Sequence, residues 1–382
     1  MINSNNLRKL TYILYFFASL LLIFCVIIYR NPIISTVRES INYSLNILIP
    51  SLFPMIFISS FISNSPAQNI ISKLFSLVCK YIFRLPSCCS CAIIFGLTCG
   101  YPVAAKLCSD LLSKNQISKE QANRLCCFCV NAGIPFGVLF VGGVIFSSIK
   151  IGWLLFFANT ISSFIIGFIL SCKSSIPNCK NIKIQHLNIQ TNLNKSVKST
   201  LYSILTMCGY IIIFSIFLNI LKSSGIFEFL NSFMIKLKLF PPLENLAILI
   251  FLLDVVSGIN CANNLHLNSE IYLIGLSFSG LCLHFQIFSF FKDKTIKYLD
   301  FYIFRLVHIF LSLEIFRLLK LISPEAISVI STVKNIIPKV YNSNATVSVF
   351  LILLSLTYIY MNKTVAKNIN MWYNYNIKSK LE

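Results

Sequence analysis

Three stretches of this 382-residue chain set polar or helix-breaking residues among apolar ones, where each is costly unless it is used. The first is GLTCGYPVAAK, residues 96–106. Gly100 and Pro102 would interrupt a helix there and free backbone carbonyl and N–H groups. At membrane depth such a break is tolerated only inside protein or along a cavity. The residues that follow suit a helix with Pro102 in its first turn, whose N-terminus would favour an anion. Lys106, one turn on, would reinforce that preference. The plainer reading is close helix packing at the glycines and a Lys106 that reaches for the interface.

The second stretch, DVVSGINCANN, opens at Asp254 after the eight apolar residues LAILIFLL. A carboxylate there needs a partner or water, and it would suit a coupling cation or proton. Ser257 and Asn260 add hydroxyl and amide groups, and Gly258 loosens the backbone. The plainer reading has Asp254 capping a helix near the surface. The third stretch, CVNAGIPFGVLFVGG, sets Asn131, Gly133, Pro135 and Gly137 in an apolar run and reads as a kinked helix beside the first break. Its counterpart later in the chain is SFSGLCLHFQ, with Ser277, Ser279, Gly280, His284 and Gln286.

Other polar groups carry blander readings. Arg305, His308, Glu314 and Arg317 share one apolar run. Glu314 and Arg317, three apart, suit a pair on one helix face, and the run reads as a tilted helix with snorkelling ends. The clusters CCSC (Cys88, Cys89, Cys91) and CCFC (Cys126, Cys127, Cys129) have thiols for a soft metal. No His accompanies them, so no metal or other cofactor is expected. No nucleophile elbow, HExxH, P-loop or GxGxxG motif occurs, and the hydrophilic segments are too short for a catalytic domain. An enzyme is not expected.

The elements that must hold these groups follow from composition. Hydrophobic residues make up 56% of the chain and charged ones only 12%, with mean hydropathy +0.78. Soluble domains carry about a quarter charged residues, so this is an all-α polytopic membrane protein. The net charge of +20 is spread through loops without aromatic interleaving. It reads as contact with anionic lipid headgroups and not with nucleic acid.

Apolar runs of spanning length lie at 10–29, 43–62, 125–146, 151–172, 201–221, 271–291, 299–319 and 346–361, about eight helices. Segments 69–85 and 226–240 mix Lys or Arg with a broad apolar face, as helices in the interface plane do. Each precedes proline and then one of the two broken, re-entrant segments. The order implies two repeats, 41–172 and 200–321, joined by a polar linker, 173–199. An N-terminal helix, 1–40, and a C-terminal helix and tail, 322–382, flank them. Each repeat crosses three times, an odd number, so the second would be inverted. Paired interrupted segments in two halves point to a transporter site. Basic residues occur in loops of both parities, so orientation is not fixed.

The stretch GYPVAAKLCSDLLSKNQISKEQANRLCCFCVNAGIPF resembles the YlbJ-like sporulation integral membrane proteins of endospore-forming bacteria. The likeness rests on Gly100 to Lys106, Ile117 to Leu125 and Asn131 to Pro135. In the second half it rests on Asp254 to Gly258, where the family more often carries Glu. The family sits in a wider group built on a gate, or nucleoside-recognition, domain. The resemblance implies transport of dipicolinic acid from the mother cell across the outer forespore membrane. Such a small dicarboxylate suits a helix N-terminus with Lys106, and Tyr101 would stack on its ring. Gly100, Tyr101, Pro102, Lys106, Asn131, Gly133, Ser257, Gly258 and Asn260 would bind it, and Asp254 would hold the coupling ion. A soft-metal permease and a non-transporting sporulation scaffold remain alternatives, and a homo-oligomer stays open.

Overall fold

The computed structural model describes residues 4–172, 174–175, 188–237, 240–291 and 296–322, all in the first of two compact units, 1–332. The expected C-terminal span, 346–361, lies outside the described residues. No strand occurs among the described residues. In a bilayer each backbone N–H and C=O must bond within its own segment, which for these apolar runs means helix.

α1 (Ser4–Ile28) leads into α2 (Arg30–Tyr43), which continues through a wider turn at Ser44–Leu48 into α3 (Ile49–Ser63). The interfacial helix expected over 69–85 is split into α4 (Ala67–Leu74) and a wide turn at Val78–Ile82. α5 (Ser90–Cys99) folds back at Gly100 into α6 (Tyr101–Ser113). α7 (Lys119–Cys129) starts at a capping box: the Gln121 N–H donates to Ser118 Oγ at 3.2 Å, and the Ser118 N–H donates to Gln121 Oε1 at 2.9 Å. The run at 125–146 is not one helix, because α7 stops at Cys129 and helix resumes only at Pro135–Ile145. α8 (Ile149–Cys172) follows.

α9 (Ile189–Ser223) has 35 residues and begins inside the stretch read as linker. Then come α10 (Ile226–Lys236), α11 (Pro242–Leu253) and α12 (Val255–Asn264), which reverse at Asp254. α13 (Ser269–Phe278) is interrupted at Ser279 and continues as α14 (Gly280–Ser289) before α15 (Tyr298–Ile322).

Among the described residues four helices are long and apolar enough to cross a membrane: Arg30–Ser63, Ile149–Cys172, Ile189–Ser223 and Ser269–Ser289. α15, with 25 residues, has the length but carries Asp300, Arg305, Glu314, Arg317 and Lys320. The chain is a helical membrane protein.

Contacts between helix ends sort the described molecule into two faces. On the first, Asn192 near the start of α9 donates to the Phe61 carbonyl at the end of α3, and Lys114 after α6 donates to Asn64 Oδ1. Arg84 before α5 reaches the Cys172 carbonyl at the end of α8, and the Lys297 N–H before α15 donates to Asn123 in α7. On the second face Asn219 near the end of α9 donates to Thr36 in α2. There too Lys320 near the end of α15 pairs with Glu270 at the start of α13. The hairpin α5–α6 enters from the first face and α11–α12 from the second.

Candidate functional site

Each hairpin turns at a tip that packs against the break in another helix. At the first tip Gly100 has φ +109°, in the left-handed region that favours glycine. Gly133, in the break after α7, lets the chains pass: a Cβ there would lie 2.5 Å from Gly100 N and 2.7 Å from Cys99 O. At the second tip Asp254 is extended, with φ −146° and ψ 124°. Gly280, in the break after α13, meets this tip more loosely, its Cβ position being 3.0 Å from Phe251 O and 3.2 Å from Val255 N.

Both tips open on one chamber of about 90 Å³. Gly100, Tyr101, Pro102, Gly133 and Pro135 line it from one side. Asp254, Val255, Cys282 and Gln286 line it from the other, and Tyr43 and Met207 help to close it. A more polar cavity of about 370 Å³ runs from Asp254 toward the second face. Ser257, Asn260 and Asn264 of α12 line it opposite Ser215, Asn219 and Lys222 of α9. Tyr43, Ile211, Asp254 and Val256 belong to both spaces.

Asp254 therefore stands at the junction, and it is the one charged residue among the described lining of the chamber. It is 4% exposed and accepts the Ser257 N–H on Oδ2 at 2.8 Å, so it caps α12. The positive end of that helix offsets the buried carboxylate. Capping and cavity-lining, alternatives in sequence, coincide here. No described Lys or Arg is within ion-pair reach of it. α6 differs, because Gly100 at its N-cap position has no side chain to cap with.

The remaining predicted residues divide. The Tyr101 hydroxyl donates to the Leu276 carbonyl at 2.6 Å, which fixes the ring at the chamber wall. Lys106 lines neither space: it pairs with Asp110 at 3.0 Å, one turn on in α6, and donates to Ser60 Oγ at 3.3 Å. Gly258 packs against the Phe251 ring, not on the cavity. Asn131 is fully buried beside the first tip, and neither atom of its amide has a partner among the described residues. The cysteines of CCSC and CCFC are buried, and no group of three or more metal-binding side chains occurs among the described residues.

α15 overturns its sequence reading in part. Glu314 and Arg317 do pair, at 2.8 Å. Arg305 and His308 do not snorkel, for both have no exposed surface. Arg305 Nη1 donates to the Val130 carbonyl at 2.7 Å and Nη2 to the Cys127 carbonyl at 2.8 Å. Nη1 also lies 3.5 Å from the Ser277 carbonyl. These carbonyls are left open by the breaks in α7 and α13, so the guanidinium supplies donors that the helices lack. His308 sits beside them, 3.0 Å from the Asn159 carbonyl and 3.3 Å from that of Ser277. Sequence reasoning also missed Ser215 and Asn219, although two polar residues four apart in a spanning run were a usable signal.

Among curated proteins the chain is similar to "Sporulation integral membrane protein YlbJ" of Bacillus subtilis (strain 168). The two are 25% identical over 258 residues, which take in 59% of this chain and 62% of that protein. The match thus spans less than two thirds of that relative's length. No family model matches the chain. No solved structure matches it.

Proposed function

We propose that this chain is a sporulation membrane transporter that carries dipicolinate, or a similar small dicarboxylate, across the outer forespore membrane. The observation that carries the reading is the meeting of two hairpin tips and a helix break at one buried chamber, continuous with a polar cavity. Transporters place discontinuous helices around such a site. The arrangement favours two inverted units of the gate type: 30–172 with its hairpin entering from one face, and 189–322 with its hairpin entering from the other. These two units account for six crossings, and α1 for a seventh. The likeness to the sporulation protein supports the cellular setting, and the tips support a carrier over an enzyme or a scaffold.

In this reading the uncapped N-terminus of α6 receives a carboxylate of the substrate, and Tyr101 flanks the ring. Gly133 and Pro102 let the ligand approach the backbone. Asp254 takes a proton or cation that travels with the anion, and Ser257 and Asn260 line the approach. Asn131, with an unpartnered amide, becomes a ligand if the first tip moves. Lys106 and Gly258 act on the hairpins and not on the substrate. One observation favours a second reading: the chamber's only described charge is negative, which suits a neutral or cationic solute.

Uptake by the full chain in liposomes, under proton and sodium gradients in both directions, tests this. Dipicolinate uptake by the parent, with at least a tenfold loss in Asp254→Asn, is the expected result. No dipicolinate uptake by well-inserted protein would discard the first reading, and uptake of nucleosides or cations instead would establish the second.

A further inference from the structure

We infer that the first face, where α3, α6 and α8 end and α7, α9 and α15 begin, is the cytoplasmic face, seated on anionic phospholipid headgroups. It follows that the polar cavity ending at Asp254 opens to the opposite compartment. The inference rests on the membrane reading alone and not on the substrate.

Loop parity in the sequence leaves orientation open, but the fold brings scattered loops together. Nine described basic residues gather at the first face, among them Arg84, Lys114, Lys119, Arg124, Lys195 and Lys297. None of the nine is in a described ion pair, for Lys106 and Asp110 neutralise each other below them. Glu120 and Asp300 are the only other described carboxylates there, and Asp300 accepts a hydrogen bond from Asn123.

The second face has seven described basic residues, and two of these, Arg317 and Lys320, are held by Glu270 and Glu314. Glu39, Glu228 and Glu244 also lie toward that face, without a described ion pair. Nine unpaired cations therefore stand against five. Lys and Arg near helix ends are retained on the cytoplasmic side during insertion, and the anionic leaflet attracts them afterwards.

The cavity gives this asymmetry a consequence. Its lining runs from Asp254 through Ser257 and Asn260 to Asn264 and Lys222, all toward the second face. No described cavity joins the chamber to the basic face. In this conformation the site is thus approached from the non-cytoplasmic side, and a solute leaving the cytoplasm would enter through a rearrangement of the first hairpin.

Cysteine labelling of the full chain tests the orientation. Ser113→Cys lies on the basic face, and Ser224→Cys and Asn264→Cys lie on the other, all three at exposed positions. In intact cells a membrane-impermeant maleimide should add label, above that of the parent chain, to Ser224→Cys and Asn264→Cys. Ser113→Cys should gain it only after permeabilisation. Any other pattern in intact cells overturns the inference, including label at both faces. Two variants on the second face guard against one that fails to insert. Absence of dipicolinate uptake would discard the substrate reading and leave this pattern unchanged.

Discussion

At the first tip the turn is made by Gly100 and the N-terminus of α6 stays uncapped, whereas at the second it is made by Asp254, whose carboxylate sits on the N-terminus of α12. Both tips turn between two short helices, and both rest on a glycine in a broken helix. They differ in how tightly they rest and in what they offer. The first is held backbone to backbone against Gly133 and presents unused N–H groups. The second is held more loosely against Gly280 and presents a negative charge already half satisfied by its own helix. A pair of similar hairpins can thus offer one end to an anion and the other to a cation.

The largest test of that contrast is at the two supporting glycines. Gly133→Ala drives a methyl group into the main chain at Cys99 and Gly100 and should lower stability by about 3 kcal/mol, measured by unfolding in detergent. Gly280→Ala should cost about 1–2 kcal/mol, from its positive φ of 69° and looser contact. Equal losses would mean that the tips are held alike. Gly137→Ala, with no atom within 4 Å of its Cβ position, should change stability by less than about 0.5 kcal/mol.

Next is Gly100→Ala, which keeps the chamber but strains a backbone at φ +109° by about 1–3 kcal/mol. Unfolding in detergent should show that loss, and uptake should fall less than in Asp254→Asn. Tyr101→Phe removes the donor to the Leu276 carbonyl and should cost about 1 kcal/mol, with a modest fall in uptake. The smallest effect belongs to Lys106→Gln. Its partner Asp110 is 41% exposed, so the pair contributes under about 1 kcal/mol, and uptake should persist. Loss of uptake without loss of stability would return Lys106 to the substrate site.

These residues also mark what was legible in the sequence. The breaks at Gly100, Gly133 and Asp254 were legible because glycine, proline and a stranded carboxylate act locally, within a few residues of the break they make. The ion pair of Lys106 was passed over although its partner was in plain view, four residues on in KLCSD. An i,i+4 pair satisfies a lysine without a ligand. Arg305 was not legible as a buried residue, because what holds it there is a set of carbonyls from α7 and α13, more than 25 residues away in sequence. Tyr43 and Met207 looked like ordinary members of spanning runs, and only the packing of α2 and α9 over the tips brings them to the chamber.

Arg305 has a mechanical side as well. Its guanidinium binds the interrupted ends of α7 and lies against that of α13, so the two broken helices and α15 are clamped at mid-depth. Separating them would strand a cation and several carbonyls in a medium that cannot hydrate them. Any alternation of access must therefore leave this three-helix block intact and take its travel from the hairpins, or from α2 and α9 sliding across them. In the proposed carrier the stroke would be confined to the parts that carry no such clamp.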